Sequence, residues 1–460
     1  MNGRSAGQAG GAEPVLIIGG GFSGTLLAIN LVRMGARAIL FERDEAALAK
    51  GLAFGTRQPE HLLNVRAANM SAFPDDPAHF LRWMGFCAAD EANRFVPRLA
   101  YGQYLREVLI DTLGSTHGRL MIRGDNVIDC VETGQGVEAR LANGGRVAGR
   151  AAVLALGNFP PRLPACLAGL PPGLAMADPW APGALDGLDP DDPVLLVGTG
   201  LTAVDLILTL DHAGHRGAIT ALSRRGLVPR RHLDAGPEVK PVSLPQARGS
   251  ALLRAVRARA ERIGWRAAID ELRPHTHTLW RLHPPEAQAR FLRHARAWWD
   301  VHRHRLAPPV AARLDAMQAR GQLRFAAGRI VAAEAEADHV CVHWAARGSG
   351  ALATLRPARV IHCIGPEGDI AEARQPLLQA LLRRGVIRPD THRLGLDVDP
   401  LWRVCDRQGV PAAHIFAVGP LTKGIAWEMI AVPDIRRQVW GLAQILSGRN
   451  TAAEAALSAP

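Results

Sequence analysis

Only two tyrosines stand in this chain of 460 residues. A surface that stacks unpaired bases needs several exposed aromatics along a basic groove, and so little tyrosine leaves no sign of one. The six cysteines, Cys87, Cys130, Cys166, Cys341, Cys363 and Cys405, include no C-x-x-C pair. That spacing excludes a zinc ribbon and a dithiol redox centre, and isolated thiols fit a reducing cytoplasm. No apolar run approaches the length of a membrane span. The first dozen residues are Gly, Ala and Ser with one Arg and have no apolar centre, so they read as a disordered tail and not as a signal peptide. The formal charge is +11, yet Arg is scattered along the chain without a long basic run. A solvated surface explains that pattern without a nucleic-acid partner. His302 and His304 lie two apart and share no helical face, so no metal site is expected.

What the chain does have is Pro14-Val-Leu-Ile-Ile-Gly-Gly-Gly-Phe-Ser-Gly-Thr25. Val15 to Ile18 is an apolar run short enough for a strand buried on both faces. Gly19, Gly21 and Gly24 follow in G-x-G-x-x-G spacing, and a helix is expected from Thr25 to Met34. The three glycines serve the tight turn, the approach of backbone to a pyrophosphate and the packing of helix on strand. Phe22 and Ser23 would offer helix N-terminal N–H groups to phosphate. A second strand, Ala38 to Phe41, ends in Glu42 and Arg43, where the acid can bind ribose hydroxyls. Strand, glycines, helix, strand and acid in that order predict a dinucleotide site.

An irregular stretch leaves the sheet after Glu42 and includes His61-Leu-Leu-Asn-Val65 and Asn69-Met70-Ser71. Loops of this length tend to carry function. Asn64, Asn69 and Met70 are candidates for contact with the reactive ring of a cofactor, with Val65 beside them as a cofactor-binding candidate, and the Asn residues could equally serve their own turns. Asp76 is expected to cap a helix from Pro77 to Met84, and Tyr101 to Leu113 reads as a further helix. Short strands follow at 119–123, 127–132, 136–141 and 146–149. A buried strand then reaches Gly157 and is broken by Pro160 and Pro161.

The second half repeats this plan. Pro193 to Val197 leads into Gly198-Thr-Gly200-Leu201-Thr202-Ala203, the G-x-G-x-x-A variant of the same fingerprint. After the strand at 218–222 no acid follows. The chain reads Ser223-Arg224-Arg225 instead. Hydroxyl plus guanidinium suits the 2′-phosphate of NADPH, because Arg can grip a phosphate with two parallel hydrogen bonds. An Arg- and Trp-rich helical insert is expected at about 250–320, at the substrate entrance. Strands at 321–325, 330–335 and 340–344 and a closing strand to Gly365 complete the repeat. Such long-range duplication is hard to obtain by chance. An edge hairpin is expected at 385–390 and 395–399. A strand from His414 to Gly419, with Pro420 and Thr422 behind it, and a helix from Pro433 return to the first half.

Together these segments resemble the two-dinucleotide flavoproteins, and most closely the bacterial FAD/NAD(P)-binding proteins related to flavin-containing and N-hydroxylating monooxygenases. The resemblance runs from about Pro14 to Leu446 and includes Ser71-Ala-Phe-Pro74, Ala155-Leu-Gly-Asn-Phe-Pro160, Trp298-Trp-Asp-Val-His-Arg303 and Gly419-Pro-Leu-Thr422. It implies an α/β fold with two Rossmann-like three-layer dinucleotide-binding domains, FAD on the first fingerprint and NADPH on the second. The expected boundaries are a tail at 1–13, an FAD domain at 14–165 plus 366–447, an NADPH domain at 190–365 and a flexible tail at 448–460. The Gly-Asp that usually holds the flavin ribitol is Gly419-Pro420 here, so a backbone N–H or Thr422 must replace that contact. The redox cysteine pair of the disulfide reductases and the histidine fingerprint of Baeyer–Villiger enzymes are both missing.

The expected activity is an NADPH-dependent FAD monooxygenase acting on a small amine or thioether in the cytoplasm. The cofactor carries the hard chemistry, so no acid–base pair stands out. Asn64 is the one catalytic candidate, as a hydrogen-bond donor where oxygen is transferred. A reductase or oxidase feeding a quinone or oxygen, and a flavin-binding sensor or scaffold without turnover, are the alternatives. The sequence leaves substrate identity and oligomeric state open.

Overall fold

The computed structural model describes residues 13–235 and 242–449. The tails expected at 1–13 and 448–460 lie almost wholly outside the described residues. Two parallel sheets organise the rest. The first runs, in order, Arg403–Cys405, Pro411–Ala417, Ala151–Leu154, Val15–Ile18, Ala38–Phe41 and Leu120–Arg123. All neighbours in it are parallel except the outer pair Arg403–Cys405 and Pro411–Ala417. Val15–Ile18 and Ala151–Leu154 are buried at every position, as central strands covered on both faces must be. Burying each large apolar side chain there is worth roughly 1.5–3 kcal/mol.

Helix Phe22–Arg33 and the terminal helix Val432–Leu446 cover one face of this sheet. The meander Val127–Thr133, Gly136–Leu141 and Arg146–Gly149 covers the other, together with helix Pro376–Arg384. The chain moves outward from Val15–Ile18 to Leu120–Arg123, then crosses back to Ala151–Leu154. The crevice at that reversal is where open α/β sheets take their ligands.

The second sheet runs Leu352–Leu355, Val340–Ala346, Leu323–Ala335, Ile219–Ser223, Val194–Val197, Arg359–His362 and Ala175–Met176. The two strands expected at 321–325 and 330–335 are one long strand, parallel to Ile219–Ser223 at its start and antiparallel to Val340–Ala346 beyond Gly328. Gly328 allows that continuity, since a Cβ there would lie 2.5 Å from the Trp344 ring.

Several expectations are corrected. The first helix begins at Phe22, not Thr25. The helix after Asp76 spans only His79–Trp83, and the Asp76 side chain pairs with Arg82 instead of capping. The hairpin at 385–399 reduces to the isolated bridge Pro389↔Leu396, and the paired edge strand is Arg403–Cys405. The second domain starts before 190, because Ala175–Met176 pairs with Arg359–His362 and Leu167 is buried in its core. Helix Pro308–Ala319 also belongs to that core through Val310, Leu314 and Met317, so the insert ends near Arg303.

Within the insert, Pro285–Arg290 runs through a π-helical turn at Phe291–Ala295 into Arg296–Arg303. Such turns often re-aim side chains at functional sites.

Gly24→Ala tests the contact of helix on strand. A Cβ at Gly24 would lie 1.9 Å from the Gly19 carbonyl oxygen. Overpacking of this kind should cost about 1–3 kcal/mol, read as a lower urea midpoint with unchanged slope.

Candidate active site

The first glycine turn is shaped by its neighbour strand. Gly19 has φ +109°, and a Cβ on it would sit 2.4 Å from the Ala155 carbonyl oxygen. Gly21 is the N-cap of helix Phe22–Arg33 and places no side chain over the helix end. The open N–H groups and the positive dipole end suit a phosphate. Phe22 and Ser23 are buried, so only their backbone can serve it. Glu42 closes the loop: its Oε2 accepts from Gly20 N at 2.8 Å and its Oε1 from Asp44 N at 3.0 Å. A carboxylate has about four acceptor sites, so capacity remains for ribose hydroxyls. Arg43 beside it is exposed.

The second turn repeats this geometry. Gly198 has φ +132°, and its Cβ would meet the Cys363 carbonyl oxygen at 2.5 Å. Gly200 caps helix Leu201–His212 without a side chain, and nothing lies within 4 Å of its Cβ position. Both cradles therefore fit a pyrophosphate.

Ser223 is spent on the protein: it shares a hydrogen bond with the Thr199 hydroxyl at 2.9 Å and accepts from Gly226 N at 3.0 Å. It holds the loop, and Arg224 beside it is exposed. Arg225 turns towards the insert and donates to the Arg293 carbonyl at 3.2 Å. Arg347, not anticipated from sequence, donates to the Arg224 carbonyl at 3.2 Å and so brings a second guanidinium to the same place.

The remaining candidates separate into three groups. Met70 is 1% exposed within the first core, which leaves it no surface for a ring. Thr422 is also closed: its hydroxyl donates to the Gly419 carbonyl at 2.9 Å and accepts from Gln438 Nε2 at 3.0 Å. The Gly419 N–H goes to Gln438 Oε1 at 2.7 Å. Neither of them can take the place of the missing ribitol aspartate.

Asn64 and Val65 lie on the seam between the domains. The Asn64 carbonyl accepts from His232 Nε2 at 3.2 Å. On the same loop, His61 Nε2 donates to the Asp205 carbonyl at 2.9 Å while Nδ1 accepts from the Thr56 hydroxyl at 2.8 Å. A carbonyl can only accept, so Nε2 carries a proton. Burial pushes the pKa of His61 down and that of His232 down to about 4, which keeps both rings neutral. Arg98 pairs with Asp205 at 2.8 Å alongside them.

The strand ends do converge. Gly157 and Pro420 line one cavity of about 210 Å³, together with Pro366, the neighbour of Gly365. Arg296 of the insert and Lys423 of the tail loop complete its charged wall. Behind that wall is Glu428, 2% exposed and at φ +73°. Its Oε1 accepts from Trp299 Nε1 at 2.8 Å and lies 3.4 Å from His304 Nε2. Arg303 Nε lies 3.0 Å from Oε2 without hydrogen-bond alignment, so that contact is coulombic. Burial alone would raise the Glu428 pKa, but His304 and Arg303 hold it well below the usual carboxylate range. Trp280 stacks on Trp427 at 5.0 Å and donates to the Gly424 carbonyl at 2.7 Å. The insert is thus fastened to the first domain's tail loop.

Residues 16–159 match a family model described as FAD-NAD(P)-binding. A search of curated protein sequences gives no match. Among solved structures, the chain is similar to Kutzneria sp. 744 ornithine N-hydroxylase, with TM-score 0.63 and 16% identity over 96% of this chain and 100% of that one. It is similar to the ornithine hydroxylase of Pseudomonas aeruginosa, with TM-score 0.61 and 15% identity over 95% and 99%. Lactococcus lactis thioredoxin reductase gives TM-score 0.54 and 11% identity over 95% and 98%. At these identities the likeness is one of fold alone.

Glu428→Gln should cost about 3–5 kcal/mol at neutral pH, because Arg303 is left buried without its partner. A depressed pKa contributes stability that is complete above the unfolded value of about 4.3 and is lost as the pH falls below it. Urea unfolding at neutral and acid pH should therefore show a large penalty that shrinks in acid.

Proposed function

We propose that the chain is an NADPH-using FAD oxidoreductase, and specifically a monooxygenase that places one oxygen atom on a small amine or thioether. The observation that carries the reading is the convergence of both closing strands on one cavity, Gly157 to Phe159 from the first domain and Pro366 to Gly368 from the second. Two nucleotides held by the two cradles would meet there. The N-hydroxylase neighbours support the oxygen-transfer side of the reading. The six free cysteines, none with a redox partner, argue against thiol reduction.

Gly19 to Gly24 would hold the pyrophosphate of FAD, with Glu42 on its ribose. Gly198 to Ala203 would hold the pyrophosphate of NADPH, with Arg224 and Arg347 on the 2′-phosphate. When bound, FAD supplies the redox chemistry, accepting hydride from NADPH and handing electrons to oxygen. The protein would orient both nucleotides, and Arg296 brings the insert to the cavity wall. Asn64 would act from the seam between the domains, where its backbone is already held by His232.

The purified protein is expected to be yellow, to bleach with NADPH in the absence of air and to form an oxygenated product on reoxidation. Hydrogen peroxide without product would make it an oxidase. Colour that NADPH fails to bleach would make it a flavin-binding protein without turnover. Arg224→Ala removes charge-assisted hydrogen bonds worth roughly 1.5–3 kcal/mol. The KM for NADPH should rise by about tenfold or more, with kcat and the KM for NADH little changed. An equal loss with both nucleotides would remove Arg224 from the specificity role. In Asn64→Ala, hydrogen peroxide should rise at the expense of product, and unchanged coupling would exclude a catalytic role for Asn64.

A further inference from the structure

The charged residues on the cavity wall are not equivalent. Arg393 pairs with Asp369 at 2.6 Å, and its side chain is 64% exposed. Arg296 lies 3.5 Å from Asp300. Glu367 spends its Oε1 on the N–H groups of Gly368 and Asp369, at 2.8 and 2.9 Å. Lys423 differs from all three. Among the described residues, its ammonium has neither a carboxylate at ion-pair distance nor a hydrogen-bond acceptor. It sits 5.5 Å from the centre of the Trp427 ring, partly buried.

The carboxylates that reach it through space are already engaged, Asp300 by Arg296 and Glu428 by Arg303 and Trp299. Burial, and then the Arg296 guanidinium, push its pKa down to about 8, so it still carries charge at neutral pH. A partly buried ammonium without an anion carries a desolvation cost. Such a cost, kept in a cavity where two cofactor sites converge, is the mark of a group waiting for a ligand.

We propose that Lys423 receives the carboxylate of an acidic substrate, so that the cavity selects a small organic acid over a diamine. This rests on the flavoprotein reading above and narrows its substrate. An incoming ammonium would meet the cations Arg296, Arg393 and Lys423 against one carboxylate, Glu367, whose Oε1 is already committed. A carboxylate finds Lys423 unpaired and Arg296 beside it. The apolar Phe159 and Leu421 on the cavity wall then suit the carbon skeleton between the anchored carboxylate and the reacting atom.

The test is calorimetric titration of the purified holoprotein with hexanoate and with hexylamine, a pair matched in length and opposite in charge. Flavin content is read from absorbance on the same sample, so that a failed flavoprotein reading is seen separately. Hexanoate should bind the wild type more tightly than hexylamine. Its affinity should fall by about tenfold or more in Lys423→Met and stay within about threefold in Lys423→Arg. Equal or reversed affinities in the wild type overturn the proposal without any variant. Unchanged hexanoate binding in Lys423→Met also overturns it. If that variant instead shifts the flavin midpoint potential, the ammonium serves the cofactor.

Discussion

Two carbonyl groups, at Ala155 and Cys363, decide where everything else goes. Each ends a closing strand and points at the first glycine of a fingerprint. Each leaves no room for a Cβ, at 2.4 Å in one domain and 2.5 Å in the other. That contact forces a left-handed turn immediately after the strand, and the helix starts within three residues of it. The helix N–H groups are thereby left open at the carboxyl edge of each sheet, where an anion can use them. The third fingerprint position differs between the halves. Gly24 lies against the Gly19 carbonyl, whereas Ala203 is accommodated in the second core. The two cradles therefore share a constraint without sharing a sequence.

Around this pair the chain adds a polar network that belongs to neither sheet. Glu428 gathers Trp299, Arg303 and His304 from the insert onto the tail loop behind Gly419. Its backbone sits at positive φ, a conformation that costs about 1–3 kcal/mol for a residue with a side chain. The buried contacts over-determine it. The same packing sets Arg296 and Lys423 on the wall of the cavity, so a structural hub and a cavity wall are made from one loop and one helix.

Much of this was legible from sequence because it is local. The glycine spacings, the apolar strands and Glu42 carry their meaning within a few dozen residues, and they appear where the spacing predicted. Some misreadings are local, such as the helix start at Phe22 and the Asp76–Arg82 pair, and others involve partners outside the local pattern. Thr422 looks free until Gln438 is placed beside it, and Ser223 looks free until Thr199 and Gly226 claim it. The two-residue strand Ala175–Met176 has no periodicity to detect. Helix Pro308–Ala319 reads like its Arg-rich neighbours until its apolar side is seen in the second core. Lys423 did leave a signal. In a chain whose basic residues are almost all Arg, lysine occurs only at Lys50, Lys240 and Lys423. A compact, strongly hydrated cation retained inside a glycine-flanked loop stands out against that background.

The His61 loop and the Glu428 hub have one further consequence. Between them they rivet the second domain to the first at two separate places, with His61 on Asp205 and Arg303 on Glu428. A hinge that swings one half away from the other would have to break both contacts together.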